Sequence, residues 1–178
     1  MTHEVKNQNK HVFLDKLSLD RTLQFTPEDI AVRIINEIPI SEKDIVLDPF
    51  KGDGVFYNNL PECNKVYCEI EEGKDFFKFE EKVDWIISNP PYRFFIGEKK
   101  YNGFPPIMDK SVLLAEKGIA FLVNWKVFNA ITTHRLKKWQ PFNITKIVLL
   151  EIKKWFGRYY LIVFEKNKPS IIKYGVSQ

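Results

Sequence analysis

Three short stretches in this chain, each closing an apolar run, carry residue types that could do chemistry together. The first is Asp48-Pro-Phe-Lys-Gly-Asp-Gly, residues 48 to 54. Gly52 and Gly54 permit a tight turn and a close backbone approach to a ligand. No Lys-Ser or Lys-Thr pair follows, so this is not a phosphate loop, and the third glycine of a dinucleotide fingerprint is missing. Asp48 and Asp53 would repel a pyrophosphate and suit a cationic group; a plain strand-to-helix turn also accounts for the loop. The second stretch ends at Glu69, an acid placed to take both hydroxyls of a ribose, or else a solvated charge beside Glu71, Glu72 and Lys74. The third is Ser88-Asn89-Pro90-Pro91-Tyr92. Two prolines remove two backbone donors and fix two φ angles, and they hold Asn89 out of the helical region. The outcome is a stiff ledge with one amide and one ring: a turn, or a clamp for a flat polar ligand.

Elements that would position these residues are legible around them. Residues 24 to 38, Gln-Phe-Thr-Pro-Glu-Asp-Ile-Ala-Val-Arg-Ile-Ile-Asn-Glu-Ile, predict a helix with Thr26 as N-cap and Pro27 at the first helical position. Ile30, Ile34 and Ile38 then share one face. Short apolar runs at 43–50, 64–70, 83–88 and 119–125 read as buried strands. A helix is expected over 105–118, closed by Gly118, and another over 128–139. Residues 145–166 read as two long strands around a tight turn at Gly157. Strands alternating with helices predict an α/β fold: a Rossmann-like, mostly parallel sheet with helices on both faces and a C-terminal antiparallel hairpin. Ligands of such sheets bind at the carboxyl ends of the strands, where all three stretches fall.

The chain has 178 residues and a net charge of +4. The length suits one domain, and the charge is compatible with a polyanionic partner. No apolar run is long enough to span a membrane, and the polar N-terminus lacks a secretion signal, so a cytoplasmic location is expected. Cys63 and Cys68 match no metal or redox spacing. His3, His11 and His134 are scattered, so no metal site is expected. The expected organisation is an N-terminal extension over 1–24, partly disordered, a catalytic domain over 25–170 and a tail over 171–178, with no separate target-recognition domain.

The order Phe25-Thr26-Pro27, Asp48-Pro49-Phe50-x-Gly52-x-Gly54, Glu69, Asp75-Phe76 and Asn89-Pro90-Pro91-Tyr92 resembles the class I S-adenosylmethionine-dependent methyltransferases. It is most similar to the adenine-N6 DNA methyltransferases of compact phage or viral type, over roughly residues 25 to 166. The Asn-Pro-Pro-Tyr motif is shared with enzymes that methylate protein glutamine, so it reports a planar amino nitrogen. The resemblance implies that S-adenosylmethionine is held by Phe25, Thr26, Pro27, Asp48, Phe50, Gly52, Gly54, Glu69, Asp75 and Phe76. It implies catalysis by Asn89, Pro90, Pro91 and Tyr92 on the N6 amine of adenine in DNA, with RNA adenine, protein glutamine or a non-catalytic subunit as alternatives. Two departures stand out. Lys51 occupies a loop position where relatives carry a small residue, pointing to solvent or to the methionine carboxylate. Only five residues separate Glu69 from Asp75, too few for the helix and strand that usually intervene.

On this reading the Asn89 oxygen and the Pro90 carbonyl each accept an N–H of the amine, and Tyr92 stacks on the base through its ring, its hydroxyl idle. Arg93, Lys99 and Lys100 alternate with Phe94, Phe95 and Tyr101 in what reads as a long functional loop over 93–106. Residues 134–139 and 153–160 repeat the basic-aromatic mixture, as phosphate-binding faces or as a solvated helix and hairpin packing. The expected partner is nucleic acid, DNA ahead of RNA, with no membrane, and a homodimer or separate recognition partner supplying any sequence reading.

Overall fold

The computed structural model describes residues 17–19, 25–96, 99–153, 155–173 and 175. Most of the expected N-terminal extension over 1–24 and part of the tail over 171–178 lie outside them. In chain order the strands are β1 (Leu17–Leu19), β2 (Ile45–Asp48), β3 (Asn64–Tyr67), β4 (Val83–Ser88), β5 (Arg93–Ile96), β6 (Lys99–Asn102), β7 (Ala115–Asn124), β8 (Phe142–Leu150) and β9 (Tyr159–Lys166). The helices are α1 (Glu28–Asn36), α2 (Val55–Asn59), α3 (Phe104–Leu114) and α4 (Thr133–Lys138).

Six strands form one sheet in the order β3-β2-β4-β7-β9-β8. The pairs among β3, β2, β4 and β7 are parallel, and β9 runs antiparallel to both β7 and β8. The central strands are apolar on both faces because both faces are covered. Side chains alternate across the sheet: Val46, Trp85, Ile87 and Leu122 pack with Ile30, Ala31 and Ile34 of α1. Leu47, Ile86, Ile119 and Phe121 pack on the other face with Phe104, Ile107 and Met108 of α3.

Several expectations are corrected. Thr26 is not an N-cap: Pro27, with ψ at 142°, occupies that position and its carbonyl accepts from the N–H groups of Ile30 and Ala31. Helix α3 ends at Leu114, and Gly118 lies inside β7. A Cβ at Gly118 would sit 2.2 Å from Cζ3 of Trp85, so the glycine makes room for a ring in the neighbouring strand, not for a helix end. The helix expected over 128–139 is the six-residue α4, capped by Thr132, with a 3-10 turn over Trp125–Ala130 before it. The residues between β8 and β9, 151 to 158, form a longer connection than a tight turn, with Gly157 at φ +111°. The stretch from 93 to 106 is not a loop: β5 and β6 form an antiparallel hairpin, and β1 pairs with β5 to make a three-stranded sheet.

The short path from β3 to β4 has the predicted consequence. Two 3-10 turns, Ile70–Glu72 and Phe76–Lys78, replace a helix and strand, and β3 is left at the sheet edge among the described residues.

Candidate active site

The parallel arrangement brings the carboxyl ends of β2, β3 and β4 to one rim, so Asp48, the turn after Tyr67 and Ser88 are neighbours. Asp48 is 1% exposed. Its Oδ1 accepts from the Phe50 N–H at 3.2 Å and from the Ser88 hydroxyl at 2.8 Å. Its Oδ2 is buried without a hydrogen-bond partner among the described residues. Burial pushes the Asp48 carboxyl up to about 7, against the pull of the Ser88 and Phe50 hydrogen bonds and with a further push from the Glu69 charge. A buried carboxylate oxygen with nothing to meet is an incomplete arrangement, and a donor or cation arriving from the rim would complete it.

The glycine loop is braced from beneath. Gly52 and Gly54 adopt φ of +54° and +85°, which a residue with a Cβ adopts only under strain. The Gly52 N–H donates to Glu69 Oε2 at 2.8 Å, and Glu69 Oε1 accepts from the Glu71 N–H at 3.2 Å. Lys51 donates its own N–H to the Cys68 carbonyl at 3.1 Å. Its ammonium pairs with Glu72 at 3.0 Å and lies 4.1 Å from the centroid of the Tyr67 ring, so it is drawn to the acids after β3. Phe25 is 56% exposed, with its ring edge beside Gly52.

Asp75 and Phe76 take local jobs. The Asp75 carboxylate accepts from the Phe77 N–H at 2.9 Å and caps a 3-10 turn. Phe76 is buried in the core, edge-on to Phe50 with ring centroids 5.2 Å apart; it supports the loop through Phe50.

The Asn-Pro-Pro-Tyr ledge is the most tightly specified part of the rim. Asn89 Nδ2 donates to Thr26 Oγ1 at 3.2 Å, and Asn89 Oδ1 accepts from the Tyr92 hydroxyl at 3.0 Å. The same hydroxyl lies 3.0 Å from the Leu122 carbonyl oxygen on β7. Burial, with the neighbouring Tyr159 hydroxyl, pushes the Tyr92 phenol well above its ordinary range, so it stays protonated. The hydroxyl is therefore not idle: it ties the amide to the central sheet. Behind the ledge the Gly103 N–H donates to the Tyr92 carbonyl at 2.9 Å, and a Cβ at Gly103 would come within 2.6 Å of the Pro91 carbonyl. The β5–β6 hairpin is thus fastened directly to the prolines.

Two features escape a reading of motifs. Ser88 is fully buried and joins Asp48 to the ledge; its only signal in sequence is a hydroxyl ending an apolar run. Phe156 is 100% exposed and Trp125 is 49% exposed. The Trp125 N–H donates to the Arg158 carbonyl at 3.0 Å, and the Tyr159 hydroxyl donates to the Phe156 carbonyl at 3.3 Å. The 151–158 connection therefore sits at the clamp's side of the sheet, and the Lys126 ammonium lies 6.0 Å from the Trp125 ring centroid. Its basic-aromatic composition was the legible signal, and hairpin packing explains only Trp155, whose ring meets Tyr159 at 4.7 Å.

Among the described residues no group of His, Cys, Asp and Glu is arranged to hold a metal ion, and no helix is long and apolar enough to cross a membrane. No protein-family model and no curated protein matches the chain by sequence. Solved structures do match in shape. A methyltransferase from Pyrococcus furiosus is 14% identical with a TM-score of 0.60, over 92% of this chain and 100% of that one. The M. jannaschii tRNA m1G37 methyltransferase is 16% identical with a TM-score of 0.60, over 86% of this chain and 58% of that one. The 23S rRNA methyltransferase ErmE is 12% identical with a TM-score of 0.60, over 85% of this chain and 72% of that one. The chain spans little more than half the length of the tRNA enzyme. What it shares with all three is their fold, a Rossmann-like, mostly parallel sheet flanked by helices.

Proposed function

We propose that the chain transfers a methyl group from S-adenosylmethionine to the exocyclic N6 amine of an adenine in DNA. The observation that carries this is the Asn89 amide, held from one side by Thr26 and from the other by Tyr92, on a proline ledge beside the glycine loop.

The residues of the rim fit the cofactor. The buried, unpartnered Asp48 Oδ2 suits the positive charge of its methionine end. Gly52 and Gly54 let the backbone come close, and Phe25 offers an exposed ring over the loop. Glu69 spends one lone pair of each oxygen on backbone N–H groups and keeps the others for ribose hydroxyls. The cofactor supplies a methyl group already activated by its sulfonium, so the work of the protein is to orient and sharpen the nucleophile.

The adenine amine is a poor nucleophile because its lone pair is spread into the ring. Asn89 Oδ1 and the Pro90 carbonyl, accepting its two N–H bonds, localise that lone pair. Both contacts strengthen as positive charge develops on nitrogen, which is transition-state stabilisation. Asn89 arrives pre-aimed, since rotation of its amide breaks contacts at both ends. The half-buried Tyr92 ring is one wall for the base. Phe156, fully exposed on the connection at the same side of the sheet, is the second ring, and stacking of this kind contributes roughly 1–3 kcal/mol per base. A base in a duplex must first be extruded, at a cost of a few kcal/mol, which the two rings offset.

RNA is the second reading. What favours it is that structural matches of this chain include a tRNA and a 23S rRNA methyltransferase. Tritium transfer from labelled S-adenosylmethionine into DNA, RNA and protein separates the readings. Label in N6-methyladenine of DNA is the expected result; label only in RNA selects the second reading, and label in glutamine or nowhere overturns both. The extent of the catalytic unit, residues 25–170, belongs to the same proposal, and nucleic-acid contact made mainly through phosphates implies salt-sensitive binding.

A further inference from the structure

Among the described residues the sheet ends at β3, and the way it ends points to a partner. Asn64 and Cys68 donate their N–H groups to the Asp44 and Asp48 carbonyls at 2.9 Å each, towards β2. In a parallel ladder alternate residues bond to opposite sides, so Lys65 and Tyr67 turn their N–H and C=O groups away from the sheet. No strand takes them among the described residues. Against this edge lies a cleft of about 460 Å³, whose walls include Tyr57, Tyr67 and Phe79 and whose polar members include Lys65, Lys74 and Lys78, with Asp75 as an acid among them. The cleft exists because the connection from β3 to β4 is two 3-10 turns where a full crossover would lay down another strand.

We propose that this edge docks an extended acidic peptide segment of a partner protein, which adds to β3 as a strand and sets its carboxylates against Lys65, Lys74 and Lys78. Backbone pairing with Lys65 and Tyr67 supplies the register, and alternate side chains enter the aromatic cleft. Lys65 reaches the Leu60 carbonyl at 2.8 Å, and Lys74 lies 3.7 Å from the Tyr67 ring centroid and 3.9 Å from Glu72. An ammonium has three donors, so both keep capacity for a carboxylate. A second copy of this chain is the poorer occupant, because it would bring two lysine rims together, and lysines on an edge strand discourage self-pairing. This inference does not rest on the methyltransferase reading.

The test is amide hydrogen exchange and chemical-shift mapping by NMR on the full chain, with two capped synthetic peptides, Glu-Val-Glu-Val-Glu and Lys-Val-Lys-Val-Lys. In the chain alone the Lys65 and Tyr67 amides should exchange at least about a hundredfold faster than that of Val66. The acidic peptide should slow them and bind at least about tenfold tighter than the basic one, a preference that Lys74→Glu with Lys78→Glu reverses. Slow exchange of both amides in the chain alone overturns the proposal, because the edge is then already covered by the chain's own residues or a second copy. An equal response to both peptides, no response to either, or protection by a single-stranded oligonucleotide in place of the acidic peptide overturns it as well.

Discussion

Asp44 and Asp48 flank the two ends of β2, and both are buried, yet their surroundings could hardly differ more. Asp44 accepts from the Ser41 N–H at 3.1 Å, the Ser41 hydroxyl at 2.6 Å and the Lys117 ammonium at 2.5 Å. Burial alone would raise its pKa, but the Lys117 and Ser41 contacts outweigh burial and leave it below the ordinary value. Asp48 takes hydrogen bonds from Ser88 and Phe50 on one oxygen, its other oxygen has no hydrogen-bond partner among the described residues, and burial raises its pKa to about 7 against the pull of these contacts and of the Tyr57 backbone N–H. The amino end of the strand is finished as a structure. The carboxyl end is left unsatisfied, as groups that await a ligand are.

The largest effect expected on this contrast is at the unsatisfied end. Asn89→Ala should lower methyl transfer by about 10²–10³-fold, comparable to removing one preorganised polar contact to a transition state. Cofactor affinity by calorimetry and the melting temperature should stay close to those of the unaltered protein. A fall in stability as large as the fall in rate would mean that the ledge is a structural turn.

Asp44→Ala should do the reverse. It leaves Ser41 without its acceptor and strips Lys117 of one of two acids, the other being Asp84 at 3.3 Å. A loss of about 2 kcal/mol in denaturant unfolding is expected, with transfer unaffected at a temperature where the variant is folded. Loss of activity without loss of stability would erase the division between the two ends.

The pH dependence sharpens it further. The folded-state pKa of Asp48 lies above its unfolded value, so the folded protein binds the extra proton. Stability is therefore highest below the unfolded pKa and falls as pH rises towards about 7, with a slope of at most about 1.4 kcal/mol per pH unit. Asp44 has the opposite sign: its contribution is present above the unfolded pKa and is lost as pH falls through the lower folded one. Asp48→Asn should flatten the decline in melting temperature between the ordinary carboxyl value of 3.8 and about 7, while weakening S-adenosylmethionine binding. An unchanged pH profile in that variant would show that Asp48 is not the group that titrates.

The smallest expected effect concerns Tyr92→Phe. Were the ring alone important, the variant would match the unaltered protein. The hydroxyl holds Asn89, so a loss of about 1 kcal/mol, or roughly fivefold in kcat with little change in KM, is expected. Tyr92→Ala should cost more, through both the wall for the base and the aim of the amide.

Much of this was written locally. The buried runs at β2, β4 and β7 declare a parallel sheet, since residues covered on both faces must be apolar throughout. Asp48, Glu69 and Asn89 each end such a run, so their meeting on one rim follows from parallel pairing. The missing crossover could be counted from the five residues between Glu69 and Asp75. Other features depend on contacts between residues far apart in the chain, which no local pattern encodes. Gly118 resembles a helix terminator, and only the Trp85 ring from the neighbouring strand makes it a strand residue. Thr26 resembles a cap, and only Asn89 turns its hydroxyl elsewhere. Tyr92 gives no sign that its hydroxyl meets the Leu122 carbonyl on β7. The 93–102 hairpin looked like a loop because its β1 partner lies more than seventy residues earlier, where no short-range pattern announces it. The chain's order of residue types was enough to place polar groups at strand ends. Which of those groups are satisfied, and so which end of β2 is free to bind, is decided only when distant donors are packed against them, because burial without a partner is a property of the fold and not of the residue.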